Sequence, residues 1–115
     1  MIIYHITIKE DLQKIPDGAD YNADTLRTEG FIHCSTAGQI IDLANQRFKG
    51  QSDLVLLCIE TDLLRPEIRY ENLEGGKKLF PHIYGALNRD AIRKMVSLTP
   101  GDDGFFVLPG EVNGI

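Results

Sequence analysis

Apolar residues in this chain come in short runs, most of them with the twofold period of strands and one with the spacing of a helix. The run "IIYHIT" (residues 2–7) is β-branched and aromatic and predicts a first strand. Thr7 and Glu10 have the spacing of a capping box, which predicts a short helix over "KEDLQKI". The stretch "PDGADYNADTLRTE" (16–29) is rich in Asp, Gly and Asn and predicts a loop with about one helical turn, long enough to cover a site. It leads into a strand at "GFIHC" (30–34). Thr36 and Gln39 form a second capping-box pattern, and Ile40, Ile41, Ala44 and Phe48 recur at helical spacing until Gly50 stops the helix.

Beyond Gly50, "DLVLLCIET" (53–61) is almost continuously apolar, the pattern of a strand buried on both faces or nearly so. "IRYEN" (68–72) predicts a shorter strand before a turn at Gly75 and Gly76, and "LFPHIYG" (79–85) a further strand entered through Pro81. "AIRKMVSLTP" (91–100) reads as a helical turn running into a strand, and "GFFVLP" (104–109) as a closing strand between Gly104 and Pro109. No internal repeat interrupts this order. The order predicts an α+β fold: one small domain over residues 1–115, with a mixed sheet and one or two helices.

Composition narrows the setting. At 115 residues and 43% hydrophobic, the chain has enough apolar surface for a core of its own. Charged residues make up 25%, and no apolar run approaches the roughly 18 residues that cross a bilayer, so no membrane span is predicted. The N-terminus lacks a basic start followed by a long apolar stretch, which predicts a cytoplasmic location. Cys34 and Cys58 fall in apolar runs, where a reduced thiol behaves as a small hydrophobe. A net charge of −5 argues against wide contact with a phosphate backbone while leaving room for a single bound nucleotide. The pattern leaves the oligomeric state open.

The chemistry to explain lies in three histidines, His5, His33 and His82, each inside an apolar or aromatic strand. Taken singly, each is accounted for by a satisfied structural imidazole. Together, with Ser35, Thr36 and Tyr84 adjacent, they point to a shared pocket in which a donor and an acceptor on each ring fix a polar ligand. Three histidines are also a zinc ligand count, but they lie dozens of residues apart rather than in a short H-x-H or H-E-x-x-H motif, so no metal is expected. Cys34 would point to the opposite strand face from His33, and no G-x-S-x-G elbow supports Ser35 as a nucleophile. Ser35 and Thr36 also serve as helix caps, while the same helix start offers backbone N–H groups to a ligand.

Through "IYHI", "GFIHCST" and "FPHIYG", the sequence resembles, from Tyr4 to Pro109, the family of small bacterial proteins called domain of unknown function 952. That family in turn is similar to the ADP-ribosyltransferase superfamily: diphtheria-toxin-like transferases, poly(ADP-ribose) polymerases and RNA 2′-phosphotransferases. The resemblance implies a split mixed sheet that grips NAD. It would put His5 on the adenosine ribose, Gly30, Phe31, His33, Ser35 and Thr36 around the nicotinamide and its ribose, and His82 with Tyr84 and His33 at the catalytic position. A glutamate usual in the third motif is missing from "FPHIYG". Glu71 or Glu74 could supply that carboxylate from a neighbouring segment, and Arg65, Arg69 and Arg89 are the nearby candidates for holding phosphate. The expectation is therefore a cleft for NAD or a related small-molecule nucleotide, with transfer of ADP-ribose. Alternatives are a non-catalytic nucleotide-binding module and a three-histidine metal-dependent hydrolase.

Overall fold

A computed structural model describes residues 1–72 and 76–112. Its strands are β1 (Ile2–Ile8), β2 (Ile32–His33), β3 (Leu54–Glu60), β4 (Glu67–Glu71), β5 (Phe80–Tyr84) and β6 (Ile92–Leu98). The α-helices are α1 (Lys9–Gln13), α2 (Asp24–Thr28) and α3 (Ile40–Arg47). They form two three-stranded sheets, ordered β1-β3-β6 and β2-β5-β4. A reciprocal pair of 2.8 Å backbone hydrogen bonds between Tyr4 and Ser35 ties the free edge of β1 to the chain just beyond β2.

The α+β class and the split sheet match the expectation. The strand directions differ from it, because every pairing between these strands is antiparallel where a mixed sheet was expected. Both helical connections explain this. The chain passes through α1 and α2 from the first sheet to the second and through α3 back again, so neither makes a parallel crossover within one sheet.

Strand alternation sorts the side chains into layers. From the first sheet, Ile3, Val55, Leu57 and Ile59 meet Ile32, Cys34 and Ile83 of the second in a core between the sheets. On the other face of the first sheet, Tyr4, Ile6, Leu56, Cys58 and Val96 pack under Ile40 and Ala44 of α3 and under Phe106. β3 is the shared middle strand, buried from Leu54 to Ile59 as its apolar run predicts. Each fully buried Ile or Leu there contributes roughly 1.5–3 kcal/mol of transfer free energy.

Two local expectations give way to tertiary contacts. Thr7 does not cap α1, whose N-cap residue is Ile8 with no side-chain cap bond, because its hydroxyl turns inward to Tyr21. The segment 104–109 is not a strand. The side chain of Asn45 on α3 accepts from the Phe106 N–H at 2.7 Å and donates to its carbonyl at 3.4 Å, replacing the bonds a ladder would supply. The second capping box forms only in half: Gln39 Oε1 accepts from the Thr36 N–H at 3.0 Å, but the N-cap of α3 is Gln39 with no side-chain cap bond, so Ser35 and Thr36 do not cap the helix as expected. The expected turn at Gly75 lies outside the described residues.

Candidate functional site

The outer face of the second sheet carries the polar and aromatic set. With Ile32, Cys34, Ile68 and Ile83 turned to the core, strand period brings the alternate residues Phe31, His33, Ser35, Phe80, His82, Tyr84, Glu67, Arg69 and Glu71 to the opposite face. Register then aligns them: His33 lies directly across from His82, and His82 across from Arg69. Phe31 stacks on His82 with centroids 4.2 Å apart and also meets His33 at 4.7 Å, while the two imidazoles touch edge to face at 5.2 Å.

Glu71 completes the group. His82 Nδ1–H donates to Glu71 Oε1 at 3.0 Å, and the Tyr84 hydroxyl donates to the same oxygen. These hydrogen bonds, that from Tyr84 first, hold the Glu71 carboxyl below its ordinary range, and the carboxylate in turn raises the Tyr84 hydroxyl. A carboxylate bond at Nδ1 fixes the His82 tautomer and leaves Nε2 as the acceptor nitrogen, with no hydrogen bond to any described residue.

Phe31, His33, Ser35, Glu71, Phe80 and His82 line a cavity of about 230 Å³ that α3 bounds with Leu43 and Arg47. Ser35 is 0% exposed in its wall, and its hydroxyl has no hydrogen-bond partner among the described residues. Burying such a group without a partner costs roughly 1–3 kcal/mol. Glu29 also reaches the cavity and accepts from His33 Nε2 at 3.1 Å. A second cavity, of about 280 Å³, lies beside the first and shares His33, Leu43 and Arg47 with it. Its other walls include His5, Thr7, Asp11, Tyr21 and Asp24.

His5 is separate from the other two rings. It sits on β1, 9% exposed, with Nδ1–H donating to the His33 carbonyl at 2.6 Å and Nε2 3.0 Å from the Tyr21 hydroxyl. Because its one ring proton is committed to the carbonyl, Nε2 accepts from Tyr21, and Thr7 Oγ1, 3.0 Å from Tyr21 Oη, closes the chain. Desolvation by burial pushes the His5 pKa down to about 4, so the ring is neutral at pH 7.

Of the residues singled out in the sequence, Phe31, His33, Ser35 and His82 meet in the first cavity, with Tyr84 behind Glu71. Gly30 and Thr36 do not line it. Gly30 has φ +86° and receives the end of α2, its N–H donating to the Thr25 and Leu26 carbonyls, which is a backbone reason for glycine. Arg65 pairs with Asp90, and Arg69 pairs with Glu67 while lying 4.3 Å over the Tyr84 ring. Arg89 lies in a short 3-10 turn, and Glu74 lies outside the described residues. The arginine in the cavity wall is Arg47, which sequence reasoning missed; its i,i+4 spacing from Leu43 was the available signal. Among the described residues no three His, Cys, Asp or Glu side chains are grouped to hold a metal ion, and no helix is long and apolar enough to cross a membrane.

Comparison with known proteins agrees on this fold. Residues 6–95 match the family model described as "Protein of unknown function (DUF952)". The crystal structure of protein CC0527 from Caulobacter crescentus is similar, with a TM-score of 0.81 and 29% identity over 94% of this chain and 95% of that one. The solution NMR structure of CC0527 gives a TM-score of 0.77 at 30% identity, covering 90% of each chain. A search of curated proteins finds no match.

Proposed function

The chain belongs to the DUF952 family, and from that premise we propose that its cavity binds the nicotinamide-ribose half of NAD, or of a related nucleotide, and transfers the ADP-ribose. The observation that carries this reading is Glu71. The resemblance to ADP-ribosyltransferases left the ribose-orienting carboxylate unaccounted for in the third motif. Glu71 supplies a carboxylate beside His82 and Tyr84, with Oε1 taking both hydrogen bonds and Oε2 making none with any described residue. A fixed, ionised carboxylate of this kind favours the positive charge that develops at ribose C1′ as the bond to nicotinamide lengthens.

The fit of the ligand rests on three further features. Ser35 offers a buried hydroxyl without a partner, suited to an amide or sugar hydroxyl. Phe31 and Phe80 give the cavity an aromatic wall for a planar ring. At about 230 Å³ the first cavity is smaller than the roughly 300–1,000 Å³ of pockets that take a whole drug-sized ligand. The adjoining cavity behind His33, Leu43 and Arg47 provides the space for the remaining half.

The test is an NMR titration of the three imidazole rings with NAD, ADP-ribose and nicotinamide, followed by chromatography for released nicotinamide. Saturable shifts at His33 and His82 on adding NAD are expected, with a smaller response at His5, whose nitrogens are already bonded. Rings that stay still with all three compounds overturn the reading. Binding without nicotinamide release overturns the transfer and leaves a nucleotide-binding module.

A further inference from the structure

We propose that His82 is the general base of this site, positioned by Glu71, and that the acceptor it activates is a hydroxyl group, of water or of an alcohol. The proposal rests on the reading above that NAD is the substrate. It starts from the division of labour between the two nitrogens of one ring. Nδ1–H is committed to Glu71 Oε1 at 3.0 Å, so Nε2 carries the lone pair. Nε2 has no hydrogen bond to any described residue, although the residue is only 5% exposed. The ring is held against turning by the stack on Phe31 at 4.2 Å and the edge contact with His33 at 5.2 Å. A buried, immobilised imidazole in a cavity wall, with one nitrogen anchored to a carboxylate and the other unused, is arranged to take a proton from a bound group.

The acceptor class follows from what such a base can do. A carboxylate acceptor has no proton to lose. An ammonium or guanidinium group has no lone pair to attack with until it is deprotonated, and it holds its proton several orders of magnitude more tightly than imidazole does. A hydroxyl has its lone pair already and releases its proton only as the new bond forms, which is where an imidazole in hydrogen-bond reach is effective. In the step proposed, the acceptor oxygen bonds to ribose C1′ while the C1′–N bond to nicotinamide breaks. The electron pair of that bond goes to the ring nitrogen and neutralises its positive charge. The acceptor's proton passes to His82 Nε2 and from there to solvent.

Two measurements separate this role from a structural one. Nitrogen-15 NMR of the resting protein should show His82 with its proton on Nδ1, and Glu71→Gln should weaken that preference while leaving the fold intact. In nicotinamide release, His82→Gln should lower the rate roughly 10²- to 10⁴-fold with NAD binding retained, and added imidazole should restore part of the rate in His82→Ala. Glu71→Gln should also lower the rate of nicotinamide release. The other charged or titratable groups around the ring are His33 from β2, Arg69 from β4, Tyr84 from β5, Arg47 from α3 and Glu29 after α2, of which Tyr84 and Arg69 also feel the Glu71 charge. Added methanol should divert product from ADP-ribose to its methyl glycoside if the site accepts alcohols; ADP-ribose alone would identify water as the acceptor. Full nicotinamide release by His82→Gln, or a His82 proton on Nε2 in the wild type, overturns the proposal while leaving the NAD reading standing. A wild-type protein that binds NAD without cleaving it overturns the proposal and the transfer, and one that binds none overturns the NAD reading as well.

Discussion

His5 offers the sharpest test of the energetics, because its ring is buried, neutral and bonded at both nitrogens. In the unfolded chain this imidazole takes up a proton near pH 6.5, whereas in the fold it resists protonation down to about 4. The unfolded state therefore binds the extra proton throughout that window, and stability falls as pH is lowered. The contribution is fully present above 6.5 and is gone once pH has dropped below about 4. At about 1.4 kcal/mol for each pH unit, the loss across the window is about 3 kcal/mol, a large share of the roughly 5–15 kcal/mol that stabilises a domain. Carboxylates such as the half-buried Glu60 and the exposed Glu67 and Asp90, held below their ordinary range by neighbouring donors, push in the same direction, so acidification of the wild type alone is not diagnostic. Comparison with His5→Asn isolates the ring. The asparagine amide can keep the bond to the His33 carbonyl and has no proton equilibrium of its own. Urea unfolding followed by circular dichroism should find the wild type ahead by roughly 1–3 kcal/mol at pH 7.5. By pH 4.5 the gap should have narrowed by about 2–3 kcal/mol, a relative midpoint shift of 1 M urea or more. An equal gap at both pH values would refute the claim that the ring is held neutral by burial.

Ser35→Ala should leave the melting temperature unchanged or slightly raised, since the hydroxyl it removes is buried and without a partner, while weakening NAD binding by about tenfold, the value of one hydrogen bond. A drop of several degrees by calorimetry would mean the hydroxyl already has a structural partner. Burial pushes the Cys34 thiol far up and that of Cys58 up to about 11, so neither is ionised at pH 7. Ellman's reagent should label both only as fast as the protein unfolds, and rapid labelling of the native protein would contradict their placement in the two cores.

Much of the architecture was readable in the amino-acid order. The β3 run buried on both faces, the helix carried by Ile40 and Ala44, and the helical turn that leads into β6 all appear where local pattern predicts them. Alternation along "GFIHC" and "FPHIY" also sent Cys34 and Ile83 inward and His33 and His82 outward, so half of the candidate site followed from period alone. The rest depended on neighbours distant in sequence. Thr7 has the spacing of a cap yet bonds Tyr21, because a buried phenol and imidazole need partners more than an exposed helix end does. Residues 104–109 have the composition of a strand, but the Asn45 amide satisfies the Phe106 backbone that a ladder would otherwise pair.

The sequence by itself determined which residues face the core and which histidines belong to strands, since side-chain period and burial are local properties of a strand. Only the tertiary structure decided how those strands lie against one another. The Tyr4–Ser35 bridge set β1 beside the end of β2, with His5 on the inner layer bonded at both nitrogens, and left His33 and His82 to share a cavity. Antiparallel register between β4 and β5 brought Glu71 to His82 across 11 residues of chain. Register is set by the pairing of whole strands rather than by any one residue, which is why a carboxylate absent from the local motif is nevertheless present in the site.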